Sequence, residues 1–308
     1  MDSHSLAGRA LVAAALTICA LALTAAPTAS EAPVAGSAQE RPAGPPVRVQ
    51  VERSVRYGDS YATALDVYRT PARRRAPAVL VVHGGGWRFG DKRRMEGISS
   101  ALAQAGFVAF NVNYTLAAWW RPGFPRQLRE LRAAVRWVRR NAARFGVDPA
   151  RIGALGSSAG AHLVGLLGVH ARGPLDAGAR VAAVSTWSAP FDLTRTGDPG
   201  LASAVETFLG CAGPCESRRA AASPTAHVSP DDPPMLLLSS EHELVPLAHS
   251  ELMAARLAAA GVPHRLWVIP GSAHGTDYTA IALAPSIEFL GRRLGRTGVG
   301  GRSRSQPR

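Results

Sequence analysis

Cysteine, aromatic residues and charge are all in short supply. Three cysteines, 6% aromatics and 19% charged residues stand in a 308-residue chain that is 46% apolar. So little charge with so much apolar material excludes wholesale disorder and leaves enough to bury a sizeable core. The length fits one large domain or two small ones. A comfortable membrane span is also missing. The N-terminal apolar stretch from Ala10 to Leu23 follows Arg9 and gives way to small residues and prolines, the layout of a secretory signal peptide. Residues 1–30 are therefore expected to be removed, leaving a secreted or extracytoplasmic protein without stable membrane insertion.

Removal of the leader leaves two cysteines, Cys211 and Cys215, in the segment CAGPC. An oxidising compartment favours a local disulfide between them, and no second ligand pair exists at zinc spacing, so no metal site is expected. The net charge of +13 suggests nucleic acid at first sight. Its distribution argues against that partner. Nearly all the basic residues are arginines, many on one helical stretch (Arg126, Arg129, Arg132, Arg136, Arg139, Arg140) or in the C-terminal GRRLGRTGVGGRSRSQPR. The aromatics do not interleave with them as stacking platforms would. Residues 31–46 (EAPVAGSAQERPAGPP) read as a flexible linker and residues 295–308 as a basic disordered tail. Nothing in the sequence fixes the oligomeric state.

Between them, residues 47–294 alternate strand-like and helix-like segments. VRVQVERSV has the period of a half-exposed antiparallel strand, with ALDVYR as its partner. APAVLVVH, GFVAFNVNY, RIGALG, VAAVSTWS, PPMLLLSS and HRLWVIP have the length and composition of buried parallel strands. Helix-like stretches lie between them. One of these spaces Leu128, Leu131, Val135 and Val138 by three and four with arginines opposite, an amphipathic helix lying on a sheet. The expected fold class is α/β: one domain with a mostly parallel, eight-stranded sheet and helices on both faces. Ligands of such sheets bind where strands end at their carboxyl edge.

Three strand ends carry unusual residues. APAVLVV is followed by HGGGWRFGDK, whose consecutive glycines let backbone N–H groups turn toward a ligand. RIGAL is followed by Gly156-Ser157-Ser158-Ala159-Gly160 and an apolar helix, the strand–turn–helix setting in which G-x-S-x-G exposes a serine hydroxyl. HRLWVIPGSA is followed by His274, in a loop from which a general base can reach the serine.

With these motifs in this order, the chain resembles the α/β-hydrolase superfamily, in particular its hormone-sensitive-lipase-like carboxylesterase branch, over roughly residues 47–294. The resemblance implies Ser158 as nucleophile and His274 as base. It also implies an oxyanion hole from the N–H groups of Gly85, Gly86 and Ala159, with a small-molecule ester as substrate and no cofactor or metal. The triad acid departs from the pattern. The branch commonly has G-T-x-D-x-x-V-P at the next strand end, and here LLLSSEHELVP puts His242 where the aspartate belongs. Three readings stand open: Glu243 or Glu241 takes over, Asp192 acts from the preceding strand end, or no acid orients His274 and the protein is a weak or inactive hydrolase-fold binding protein. A peptidase of the same fold is a further alternative. His83 is expected to brace the glycine loop, His162 to pack beneath the elbow, and Trp87, Trp119, Trp120 and Trp187 to line a pocket or pack in the core.

Overall fold

The run APAVLVV is buried at every position, and it forms the strand around which the sheet is built. In the computed structural model, which describes residues 48–71, 75–211 and 213–295, eight strands follow one another along the chain. They are β1 (Gln50–Arg56), β2 (Ala64–Arg69), β3 (Ala76–Val82), β4 (Val108–Val112), β5 (Val147–Ser157), β6 (Val184–Trp187), β7 (Met235–Ser240) and β8 (His264–Ile269). The helices are α1 (Glu96–Gln104), α2 (Arg126–Arg140), α3 (Ala142–Phe145), α4 (Ala159–His170), α5 (Pro199–Leu209), α6 (Glu216–Ala221), α7 (Ala248–Ala259) and α8 (Thr279–Leu294). The sheet order is β1-β2-β4-β3-β5-β6-β7-β8. β1, β2 and β4 pair antiparallel, and every pair from β4–β3 through β7–β8 is parallel.

Alternation along the central strands splits the core into two layers, because successive side chains point to opposite faces. Leu80 and Val82 join one cluster with Leu131, Val135, Leu163, Leu167 and Met253. Val79 and Val81 join the other with Leu102, Leu290 and Leu294. α2, α4 and α7 therefore cover one face and α1 and α8 the other, while α5 joins the first cluster through Leu201, Ala204 and Phe208. Every residue of α4 except its last is buried, which explains a helix that is apolar all round.

The amphipathic α2 buries Leu128, Leu131, Val135 and Val138. Its arginines are not all free on the opposite side. Arg132 donates to His170 O at 2.6 Å, and Arg139 donates to Pro149 O at 3.1 Å and Gly178 O at 2.7 Å. Two helices lie in stretches whose pattern is not strand–helix alternation. α5 begins with an Asp198 cap that accepts from Leu201 N–H and Pro199 in its first turn, and it ends on left-handed Gly210, a start and stop grammar that is readable in the sequence. A disulfide joins Cys211 to Cys215 just after it. The expected signal peptide, linker and basic tail lie outside the described residues, apart from Gly295, which closes α8.

Candidate active site

β5 runs into α4 through a turn tight enough to need glycine on both sides. A Cβ on Gly156 would sit 2.4 Å from Gly160 O, and one on Gly160 would sit 2.3 Å from Val82 O. Between them Ser158 adopts φ 53°, ψ −121°, a conformation costing about 1–3 kcal/mol for a residue with a side chain. The Ser158 N–H donates to Trp187 O at 2.7 Å, which ties the turn to the end of β6. The hydroxyl is left above the sheet edge, at the N-terminus of a twelve-residue helix, where the helix dipole adds partial positive charge.

His274 follows β8. Its Nε2 lies 2.9 Å from Ser158 Oγ and its Nδ1 2.5 Å from Glu243 Oε2. The geometry fits an imidazole that donates from Nδ1 to the carboxylate and accepts the serine proton at Nε2. The Glu243 side chain is fully buried, and its other oxygen accepts Ser240 N–H at 2.8 Å. The loop after β7 thus turns back on the strand end and aims the carboxylate inward.

The other candidate acids have different partners. Glu241, a candidate for the orienting acid, is exposed and accepts Gly271 N–H at 3.2 Å. It continues the β7–β8 pairing by donating its own N–H to Ile269 O at 3.1 Å, so its carboxylate stays at the rim. His242 likewise donates its N–H to Gly271 O. The Asp192 carboxylate closes a local turn, accepting from Thr194 N–H at 3.1 Å and Thr194 Oγ1 at 2.6 Å, with Arg195 at 3.4 Å. Neither Glu241 nor Asp192 is among the partners of His274.

Residues unremarkable in the sequence hold His274 in place. The N–H of Gly275 donates to Ser188 Oγ at 2.8 Å, Ser188 Oγ lies 2.8 Å from the Tyr278 hydroxyl, and that hydroxyl donates to Leu238 O at 3.1 Å. Burial pushes the Tyr278 hydroxyl well above its usual range, so it stays a donor. Ser240 Oγ donates to Ala273 O at 2.6 Å. Single hydroxyls carry no spacing signal. Only proximity to the motifs, with Tyr278 four residues past His274 and Ser240 three before Glu243, could have marked them.

The glycine loop faces Ser158. Gly85 and Gly86 have φ of 120° and 55°, and Trp87 continues at 62°. A Cβ on Gly84 would meet Ser157 O at 2.9 Å, so the loop lies against the elbow. His83 is buried, stacks on Tyr114 with centroids 4.4 Å apart, and hydrogen-bonds Gly84 O through Nδ1 at 2.7 Å. Burial holds its pKa below the ordinary value.

Two cavities open beside Ser158. One, of about 260 Å³, is lined by Gly84–Gly86, Arg94, His274, Thr276 and Asp277. The other, of about 270 Å³, is largely apolar, with Trp87, Phe89, Pro190, Leu201, Ala204 and Val245 in its wall. Leu244 borders both. Of the tryptophans, Trp87 lines the apolar cavity, Trp187 is core, and Trp119 and Trp120 are exposed. Among the described residues no three His, Cys, Asp or Glu side chains cluster as a metal ion would require.

The family model described as BD-FAE matches residues 65–257. The esterase LipQ of Mycobacterium tuberculosis is 30% identical over 255 residues, covering 75% of this chain and 60% of LipQ. The chain thus spans less than two thirds of that relative, and 63% of the esterase LipC from the same organism. Among solved structures, a truncated carbohydrate esterase from gut microbiota superposes with a TM-score of 0.71 at 23% identity, over 83% of this chain and 99% of that one. A thermophilic esterase from the Planctomycetes species Thermogutta terrifontis gives 0.65 at 25% identity, over 83% and 96%.

Proposed function

The chain belongs to the BD-FAE family, and from that premise we propose that it hydrolyses carboxylic esters through an acyl-enzyme on Ser158. The observation that carries this reading is the unbroken line from Ser158 Oγ to His274 Nε2, and from His274 Nδ1 to Glu243. His274 takes the hydroxyl proton as Ser158 attacks the ester carbonyl, and Glu243 stabilises the imidazolium that forms. The N–H groups of Gly85, Gly86 and Ala159 receive the oxyanion, each donor contributing about 3–4 kcal/mol to the transition state. His274 then returns the proton to the departing alkoxide. Water, deprotonated by the same imidazole, releases the acid and restores Ser158.

The two cavities divide the substrate. Because the imidazole protonates the leaving oxygen, the alcohol half belongs on the side of His274, among Thr276, Asp277 and Arg94. The acyl half then lies in the apolar cavity against Leu201 and Ala204, whose volume suits short chains. The rival reading, a hydrolase-fold protein without turnover, rested on His242 at the usual acid position. The buried Glu243 carboxylate, one residue later and 2.5 Å from His274 Nδ1, supports the catalytic reading over it. Export of the mature domain, read from residues 1–30, is part of the proposal, and an intracellular chain retaining those residues would overturn it.

The test is turnover of p-nitrophenyl acetate and butyrate by the protein and by Ser158→Ala. Hydrolysis abolished in the variant is expected. Equal rates in both would sink the proposal.

A further inference from the structure

One buried polar pair is unused by the chemistry so far. His162 lies one turn into α4 and is completely buried, as is Trp87 in the glycine loop, apart from 1% of its surface. Trp87 Nε1–H donates to His162 Nδ1 at 3.1 Å, and His162 Nε2 lies 2.8 Å from Ala222 O. With both ring nitrogens engaged, the imidazole is the neutral Nε2–H tautomer, and burial pushes its pKa down to about 3.

Stability alone gives no reason for such a pair. Replacing both partners of a buried hydrogen bond by apolar groups of similar shape is nearly neutral or stabilising, and Phe208, stacked on Trp87 at 4.6 Å and edge-on to His162 at 5.3 Å, shows the surroundings to be apolar already. What the pair supplies is position. Trp87 is the third consecutive left-handed residue after Gly85 and Gly86, and the only one with a side chain. That conformation costs about 1–2 kcal/mol, so it has to be held. Its carbonyl accepts from Ala117 N–H at 2.8 Å and Gln127 Nε2 at 3.0 Å, and its indole N–H is anchored to His162.

His162 is built on the helix that begins at Ala159, and Trp87 on the loop containing Gly85 and Gly86. The hydrogen bond therefore joins the two chain segments, 75 residues apart, that supply the two halves of the oxyanion hole.

We propose that His162 is a positioning residue that, through its hydrogen bond to Trp87, fixes the glycine-loop N–H groups relative to the Ala159 N–H and so sets the width of the oxyanion hole. The inference rests on the ester-hydrolase reading. A displacement of about 1 Å in such a site costs on the order of a hundredfold in rate. Ground-state binding depends on the cavity walls, to which His162 does not belong, so the effect of replacing His162 falls on kcat.

The experiment compares wild type, Trp87→Phe, His162→Leu, His162→Asn and the Trp87→Phe/His162→Leu double variant. Trp87→Phe keeps the ring and removes only the donor, while His162→Asn keeps an acceptor near the Nδ1 position. Expected are kcat losses of at least about tenfold in Trp87→Phe and His162→Leu, with KM changed less than about twofold in His162→Leu, whose side chain lines neither cavity. His162→Asn should recover part of the rate. The double variant should be no slower than the worse single, since one interaction is lost in each. Affinity for an aryl trifluoromethyl ketone, whose Ser158 adduct carries the oxyanion, should fall in step with kcat. Folded variants with wild-type kcat and ketone affinity overturn the proposal, as do losses confined to KM or melting temperature. Should His162→Leu fail to fold, Trp87→Phe decides alone. A wild type whose turnover is absent or survives Ser158→Ala overturns the ester-hydrolase reading and the clamp together. A wild type that turns over normally beside unaffected variants overturns the clamp alone.

Discussion

Glu243 Oε2 lies 2.5 Å from His274 Nδ1, across 31 residues of sequence, although the position usually occupied by the acid holds His242. The contact depends on a one-residue change in where the loop turns. Ser240, the last residue of β7, donates its N–H to the other Glu243 oxygen at 2.8 Å. Glu243→Gln is expected to lower kcat by up to about 10⁴, the scale seen when a triad acid becomes its amide, whereas Glu241→Gln stays within about threefold of wild type. Steady-state kinetics on one ester with both variants decides it. Equal losses would return the acid to either position.

Ala204 presents its Cβ to the apolar cavity, 3.5 Å from where a Cβ on Gly86 would be. Ala204→Phe should reduce kcat/KM for butyrate by at least about tenfold more than for acetate, through the volume it removes. A series of p-nitrophenyl esters of increasing chain length reads this directly. A uniform loss across the series would place the acyl chain in the other cavity.

Gly160 allows α4 to approach the end of β3, with Val82 O and His83 O within 2.4 Å of an added Cβ. Both obstacles are backbone, so neither rotates away. Gly160→Ala should cost about 2–3 kcal/mol, at the upper end for overpacking, and lower the melting temperature by about 5–10 °C for a domain of this size. An unchanged melting temperature would mean that the helix shifts without penalty.

Three buried histidines make the fold sensitive to mild acid. Burial lowers the pKa of His83 and His249, and of His162 to about 3. Each is neutral when folded and has a pKa near 6.5 when unfolded. Their contribution to stability is complete above pH 6.5 and is lost as pH falls toward the folded values, with a slope of up to about 1.4 kcal/mol per pH unit for each. Asp91 behaves as a carboxylate held low. Burial opposes its charge, but hydrogen bonds from Arg93 and Asn113 outweigh it and bring the pKa to about 2, so its share disappears only below about pH 4. Urea midpoints measured at pH 7.5 and 5.0 should therefore fall with acidification, and a flat profile would show that these histidines gain protons in the folded state.

What the sequence made legible was what depends on local pattern. The run APAVLVV, the glycines around Ser158 and the spacing of Leu128 to Val138 each impose their structure within a dozen residues, and the eight-stranded α/β sheet follows from their alternation. The choice among Glu241, Glu243 and Asp192 was not legible. It depends on where a loop turns relative to β8, and that is set by the Ile269 carbonyl at the end of β8 and the Gly271 carbonyl and amide just beyond it. Ser188, Ser240 and Tyr278 were hidden for the same reason, and so was the contact of His162 with Trp87. A hydroxyl or an indole N–H acquires its meaning from a partner that the chain brings near only once it has folded.

The strand that leads to His274 is both the last among the described residues and an outer strand of the sheet. Ser158 and His274 are separated by 116 residues, so a ribosome has completed the elbow long before the imidazole emerges. A nascent or clipped chain ending before β8 lacks His274, the side chain whose Nε2 stands 2.9 Å from the Ser158 hydroxyl. The pair of side chains is therefore complete only when β8 has joined the outer side of the sheet, and the elbow at Ser158 takes its shape from strands made much earlier.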